Sequence, residues 1–325
     1  MVWLTPAQLR PRLTFLGPVI RTHPNEIHVF DRTAYDQIYR VGTEFDKCQN
    51  FYDHPLGEGS HFNMPDLKSS KLRRDMFASA LSRAAVQKAE PRLRDTVLRF
   101  IQVLRRSAEM NDVVDMTAAF HSLTTDAIMH FAWGINFGAI DTKDFNFPTI
   151  ERMNYFLVGA VILRTFHSIM RPFFTFAFRF PLIAKFNSTF RAAHWLRESC
   201  NRIVENSVAK SNIDDIGLFS SALKQHRESG LPNVRELTSE AIVFLVGGEE
   251  SSANTLIHEL HQAIPQEETL PSVATLEKIP FLTAVVKESL RFSHGAPGRL
   301  PRVVPNQGAL LCGYSIPKEV KNALL

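Results

Sequence analysis

Apolar residues recur at helical spacing through most of the chain. Over 67–82, 84–105, 113–131, 150–163, 183–208 and 239–263 they fall three and four positions apart, the pattern of helices that lay one face on a core. A polar break at 262–277, carrying Pro265 and Pro271, precedes one more helical stretch at 282–292. The two ends read differently. Pro18-Val-Ile-Arg-Thr and Glu26-Ile-His-Val-Phe are β-branched runs on either side of His23-Pro24-Asn25, which predicts a hairpin turning at Pro24 and Asn25. From 295 to 325, Pro297, Pro301, Pro305, Pro317 and four glycines surround short apolar pieces, the texture of turns and short strands. The pattern as a whole predicts a mainly α protein with a small β region, without internal repeats.

The segment 154–190 stands apart. It is rich in Phe, Leu and Ile but broken by Arg164, Arg171, Pro172, Arg179 and Pro181, which excludes a straight membrane span. Two readings stay open: buried core, or two helices with a greasy connection that covers a ligand cavity or makes peripheral contact with a membrane.

Composition narrows the function classes. With 325 residues, 45% hydrophobic and 22% charged, the chain can bury a large core, and 25 Phe against 3 Trp and 5 Tyr suits a wide apolar interior or a lipophilic ligand. The net charge of +4 is spread out, so no nucleic-acid partner is expected; the densest basic knot, Lys68, Lys71, Arg73 and Arg74, reads as the solvated side of a helix. Cys48, Cys200 and Cys312 lie far apart and form no C-x-x-C pair, which argues against a disulfide framework or a zinc knuckle and for a reducing compartment. No early apolar run is long enough for a signal peptide or anchor. His258 and His261 miss the i, i+4 spacing of a zinc-protease helix, so no metal ligand is assigned.

Two motifs carry candidate chemistry. Val246-Gly247-Gly248-Glu249-Glu250-Ser251-Ser252 sets two glycines, two acids and hydroxyls inside an apolar helix. Adjacent interior glycines cost on the order of 1–2 kcal/mol relative to alanine, so a gain must offset them. One gain is a smooth groove for a flat ligand, with Glu250 and Ser251 passing protons beside it; the other reading is a helix kink with a local N-cap. Further on, Glu288 and Arg291 stand at i and i+3 and can pair on one helical face.

Taken in order, the Gly-Gly-Glu-Glu-Ser-Ser helix, the proline-marked break, the Glu288/Arg291 helix, Pro297-Gly-Arg-Leu-Pro-Arg302-Val-Val-Pro and Gly313-Tyr-Ser-Ile-Pro317 resemble the cytochrome P450 family, its fungal members in particular. Gly17-Pro-Val-Ile-Arg-Thr-His-Pro-Asn-Glu-Ile-His-Val is similar to that family's first hairpin, and Lys71-Leu-Arg-Arg74 onward to its C helix. The resemblance implies one cytochrome P450-like domain over 1–325, with Glu250 and Ser251 as the acid–alcohol pair of the oxygen-activating helix. It makes Gly247 and Gly248 the groove over a heme, Arg74 and Arg302 holders of the heme propionates, and Glu288 and Arg291 a buried structural pair. The implied parent function is hydroxylation or epoxidation of a lipophilic secondary metabolite, with electrons from a flavoprotein reductase.

Departures from the family pattern qualify this. Ser70 stands where the family has His or Trp, Glu249-Glu250-Ser251 replaces Thr-Asp-Thr, and Lys318-Glu319-Val320 replaces a Gly-Thr turn. A heme-thiolate enzyme needs a cysteine on iron, held in the family by Phe-x-x-Gly-x-Arg-x-Cys-x-Gly. Around Cys312 only Gly308 fits that loop: Pro305 replaces Phe, Leu310 replaces Arg and Tyr314 replaces the last Gly. The expectation is an incomplete cytochrome P450 fold lacking both the iron-ligating loop and the N-terminal anchor. Such a chain would be inactive as a monooxygenase, cytoplasmic or peripheral to the endoplasmic reticulum membrane, or else a non-catalytic binder of a lipophilic ligand.

Overall fold

The computed structural model describes residues 17–145, 147, 163, 166–179, 188–209, 217–256 and 300–324. Two compact units divide the chain. One comprises Met1–His54, His61–Leu72 and Pro297–Leu325, the other Pro55–Ser60 and Arg73–Ala296.

The first unit is built on strands from both ends of the sequence. β1 (Val19–His23) and β2 (Glu26–Val29) form the expected antiparallel hairpin, turning at Pro24 and Asn25. Asp31 then caps α1 (Arg32–Tyr39), its carboxylate accepting from the Ala34 N–H at 2.8 Å, and Ala34 and Ile38 face inward. β3 (Asp46–Lys47) leads into the single turn α2 (Gln49–Tyr52). β4 (Arg302–Val303), β5 (Ala309–Leu311), β6 (Tyr314–Ile316) and β7 (Lys321–Leu324) follow near the C-terminal end. The larger sheet runs β1-β2-β7-β4-β3, with β7 parallel to β2 and β4 antiparallel to both of its neighbours. Ile27, Val29, Ile38, Phe45, Val304 and Leu311 pack into its core. β5 and β6 pair separately around a two-residue turn, Cys312 and Gly313, at φ 50° and 81°. Both positive values mark the mirror-image turn whose twist matches that of the strands.

The second unit is helical. α3 (Leu67–Ala78) enters it from Arg73 onward, followed by α4 (Arg83–Glu109), α5 (Met116–Trp133), α6 (His167–Arg179), α7 (Ser188–Ala209), α8 (Ser220–Ser229) and α9 (Val234–Leu256). Aromatic rings knit its centre: Phe77 meets Phe219 and Phe244 edge-on at 5.2 and 5.0 Å, and Trp133 stacks on Phe219 at 4.0 Å. Asp126, almost fully buried, accepts from the Ala139 and Ile140 N–H groups at 3.0 and 3.1 Å, which fixes the chain just after α5.

α3, α4, α5, α7 and α9 match the periodic stretches, with shifted ends, whereas α6 falls between the stretches at 150–163 and 183–208. The pattern at 239–263 begins one turn late, because α9 opens with a reciprocal cap. Asn233 Oδ1 accepts from the Glu236 N–H at 3.0 Å, while Glu236 Oε2 accepts from the Asn233 N–H at 2.9 Å. α1 and α8 are too short to announce themselves by periodicity. Most of 150–163, all of 257–263 and all of 282–292 lie outside the described residues. Among the described residues, no helix is long and apolar enough to cross a membrane.

Glu236 does two jobs at once. Its other oxygen, Oε1, accepts from Arg73 Nη2 at 2.8 Å, and both side chains are largely buried. Glu236→Ala removes half of the cap and strands a buried guanidinium, so unfolding in urea should show a loss of about 2–4 kcal/mol. The exposed pair Glu58–Arg235 serves as the control, and Glu58→Ala should leave the midpoint essentially unchanged.

Candidate functional site

Helix α9 carries the glycine–acid–hydroxyl motif. Its first half is anchored by Leu237, Ala241, Ile242 and Leu245, all buried in the second unit's core. The helix continues through Gly247 and Gly248 to Leu256, so these glycines sit in helix interior and not at a new N-terminus. Gly247 is exposed, and a Cβ built on it meets nothing within 4 Å, so the backbone at this turn faces open space. Glu250 and Ser251 follow three and four residues later in the same helix. The side chains from Gly248 onward lie outside the description.

Arginine chemistry divides unequally along α3. Arg73 turns inward to Glu236, contrary to the reading of Lys68, Lys71, Arg73 and Arg74 as one solvated face, whereas Lys68, Lys71 and Arg74 are exposed. That knot could not be resolved from charge alone, because Arg73's acid lies 163 residues away. Ser70 is buried. Its hydroxyl donates to the His61 carbonyl at 2.7 Å and accepts from Lys47 Nζ at 2.9 Å. Lys47 also donates to the carbonyls of His61 and Phe62, at 2.6 and 3.1 Å.

In the first unit, Arg302 lies on β4 directly opposite Lys47 of β3, so two cations share one cross-strand position. The Arg302 guanidinium carbon lies 5.4 Å from the centre of the Tyr39 ring and 5.9 Å from that of Tyr52. Its Nε and Nη1 are shut from solvent and meet no hydrogen-bond partner among the described residues. Each is a charged donor suited to a carboxylate oxygen, and because Nη1 lies on the Cδ side while Nε–H points the other way, the two serve as separate donors and not as one fork. Tyr39 donates its hydroxyl to the Leu300 carbonyl at 2.7 Å, and burial foremost pushes its phenol well above the usual range. Sequence pattern did not single out Lys47, Tyr39 or Tyr52, since a ladder only two residues long leaves no periodic trace.

The three cysteines sit in unlike surroundings. Cys200 is sealed in the second unit's core, where burial pushes its thiol up to about 12. Cys48 is buried at the start of α2, its N–H donating to the Pro301 carbonyl at 3.1 Å. Cys312 occupies the β5–β6 turn, and burial, then nearby Asp31, raise its thiol above the ordinary value. Glu288, Arg291, His258 and His261 lie outside the described residues.

Two outcomes follow for the thiols. Alkylation of the native protein at mildly alkaline pH should modify Cys312 first and spare Cys200, whose thiolate form is reached only toward pH 12; early labelling of Cys200 would contradict its burial. Cys312→Asn places a residue that tolerates positive φ in the turn, and thermal melts should show stability unchanged or raised by about 0.5 kcal/mol.

Comparison with known proteins adds the family. The cytochrome P450 family model matches residues 14–322. Cytochrome P450 monooxygenase claJ of Penicillium crustosum is 27% identical over 330 residues, spanning 93% of this chain and 74% of that protein. Monooxygenase sol6 of Alternaria solani is 26% identical, over 93% of this chain and 69% of its own length. For flvC of Aspergillus flavus the identity is 24%, over 90% of this chain and 58% of the relative. The chain thus covers between about half and three quarters of these relatives' lengths. With nearly its whole length matched, from the β1–β2 hairpin to the strand that carries Arg302 and beyond, the chain belongs to the cytochrome P450 family.

Proposed function

We propose that the chain descends from a monooxygenase that hydroxylates or epoxidises a lipophilic fungal secondary metabolite, and that these 325 residues do not by themselves bind heme iron through a thiolate. Family membership and the monooxygenase names of the fungal relatives support the first part. A single observation carries the second: one cysteine is packed in the core, one is buried beside Pro301 and one forms a hairpin turn.

Heme, the family cofactor, supplies the centre at which oxygen is activated. In this reading Arg302 holds one of its carboxylates through a charged N–H that has no partner among the described residues, and exposed Arg74 reaches another. Gly247 and Gly248 let α9 approach a flat ligand, because a glycine presents only backbone. Glu250 and Ser251 pass protons along that helix, an acid feeding a hydroxyl that both donates and accepts. Glu288 and Arg291 pair as a structural support. Electrons come from a flavoprotein reductase, and segment 154–190 serves as peripheral contact with the membrane that bears it. The exposed Phe166, Ile169, Phe173 and Phe176 suit such a contact.

The test is turnover. The purified chain, incubated with heme, a fungal reductase and its nicotinamide donor, should consume no more oxygen than heme and reductase without it. Reductase-dependent oxygen uptake that needs the chain and is abolished in Cys48→Ser, Cys200→Ser or Cys312→Ser would overturn the proposal.

A further inference from the structure

Arg302 is held in a way that the family resemblance does not explain. On a β-strand an arginine is a long, mobile side chain, and ordering it costs entropy unless its surroundings fix it. Here they do. Tyr39 and Tyr52 lie 5.4 and 5.9 Å from the guanidinium carbon. The Tyr39 hydroxyl is tied to the Leu300 carbonyl, two residues before Arg302, so ring and strand cannot drift apart independently. Lys47 Nζ lies 5.5 Å from the Tyr52 ring centre and is itself pinned by two carbonyls and Ser70. Lys47 and Arg302 face each other across the β3–β4 ladder, and Tyr52 lies within cation–π reach of both.

The result is an arginine in an aromatic clamp with two charged donors left over. Nε and Nη1 are buried and unpartnered among the described residues, and burying such groups is costly unless an acceptor arrives. Two cations opposed on adjacent strands likewise favour a bound negative charge.

We propose that Tyr39 and Tyr52 are positioning residues that hold the Arg302 guanidinium, with its unpartnered Nε–H and Nη1–H, ready for a carboxylate oxygen, with Lys47 bracing Tyr52. This rests on the reading of Arg302 as a holder of the cofactor's carboxylate. It adds that the preference for a carboxylate comes from the tyrosine clamp and not from the arginine alone.

Metal-free protoporphyrin IX and its dimethyl ester, which differ only in their carboxylates, separate the two ideas without any need for catalysis. Fluorescence titration of the 325-residue chain should favour the diacid by about tenfold, the equivalent of one charge-assisted hydrogen bond. Arg302→Gln should abolish that preference. Tyr39→Leu and Tyr52→Leu should abolish most of it while leaving affinity for the ester unchanged, a pattern that general destabilisation would not give. Tyr39→Phe keeps the ring and should retain more of the preference than Tyr39→Leu. If both Leu variants keep the full preference while Arg302→Gln loses it, the clamp is refuted and the reading of Arg302 stands. If the parent chain shows no preference, or Arg302→Gln keeps it, that reading falls too.

Discussion

The pairing of Lys321–Leu324 with Glu26–Val29 is the constraint on which the first unit depends. These strands run parallel, and parallel strands cannot be joined by a tight turn, so their contact must be made across nearly the whole length of the sequence. Without it the β1–β2 hairpin would be a two-stranded ribbon, which is marginal in water. β4 would lose one neighbour and β3 would be paired with a strand that has no sheet behind it. Arg302 owes its place to this closure, since β4 is held between β7 and β3, and the Lys47 opposite it is supplied by β3.

The helical unit depends on a different economy. Its core is dominated by ring contacts among Phe77, Trp133, Phe219 and Phe244, and by the apolar first half of α9. Two of its acids fix helix ends and connections. Glu236 completes a cap while holding Arg73, and Asp126 accepts two backbone N–H groups beyond α5. Beyond that anchored first half, Gly247 is exposed and meets nothing among the described residues.

What could be read from the sequence followed from range. The hairpin at Pro24 and Asn25 and the long helices declare themselves within a few residues, by turn chemistry and by a repeat of 3.6. The Pro- and Gly-rich texture after residue 295 announced short strands and turns, and Cys312 and Gly313 form one of those turns. The sheet order was not legible, because two-residue strands such as β3 and β4 have no period and their partners are remote. For the same reason Arg73 could not be told from Arg74, nor Tyr39 and Tyr52 recognised as neighbours of Arg302. The chemistry of a surface arginine and a clamped one differs only in what the rest of the chain brings to it.

The most direct measurement is the carbon monoxide difference spectrum of the reduced, heme-reconstituted chain, because the position of the Soret band reports whether sulfur is bound to iron. With Cys200 buried, Cys48 packed beside Pro301 and Cys312 in a turn, the expected spectrum lacks the strongly red-shifted band of a thiolate complex. Appearance of that band, and its loss in a single cysteine-to-serine variant, would show that one of the three does reach iron.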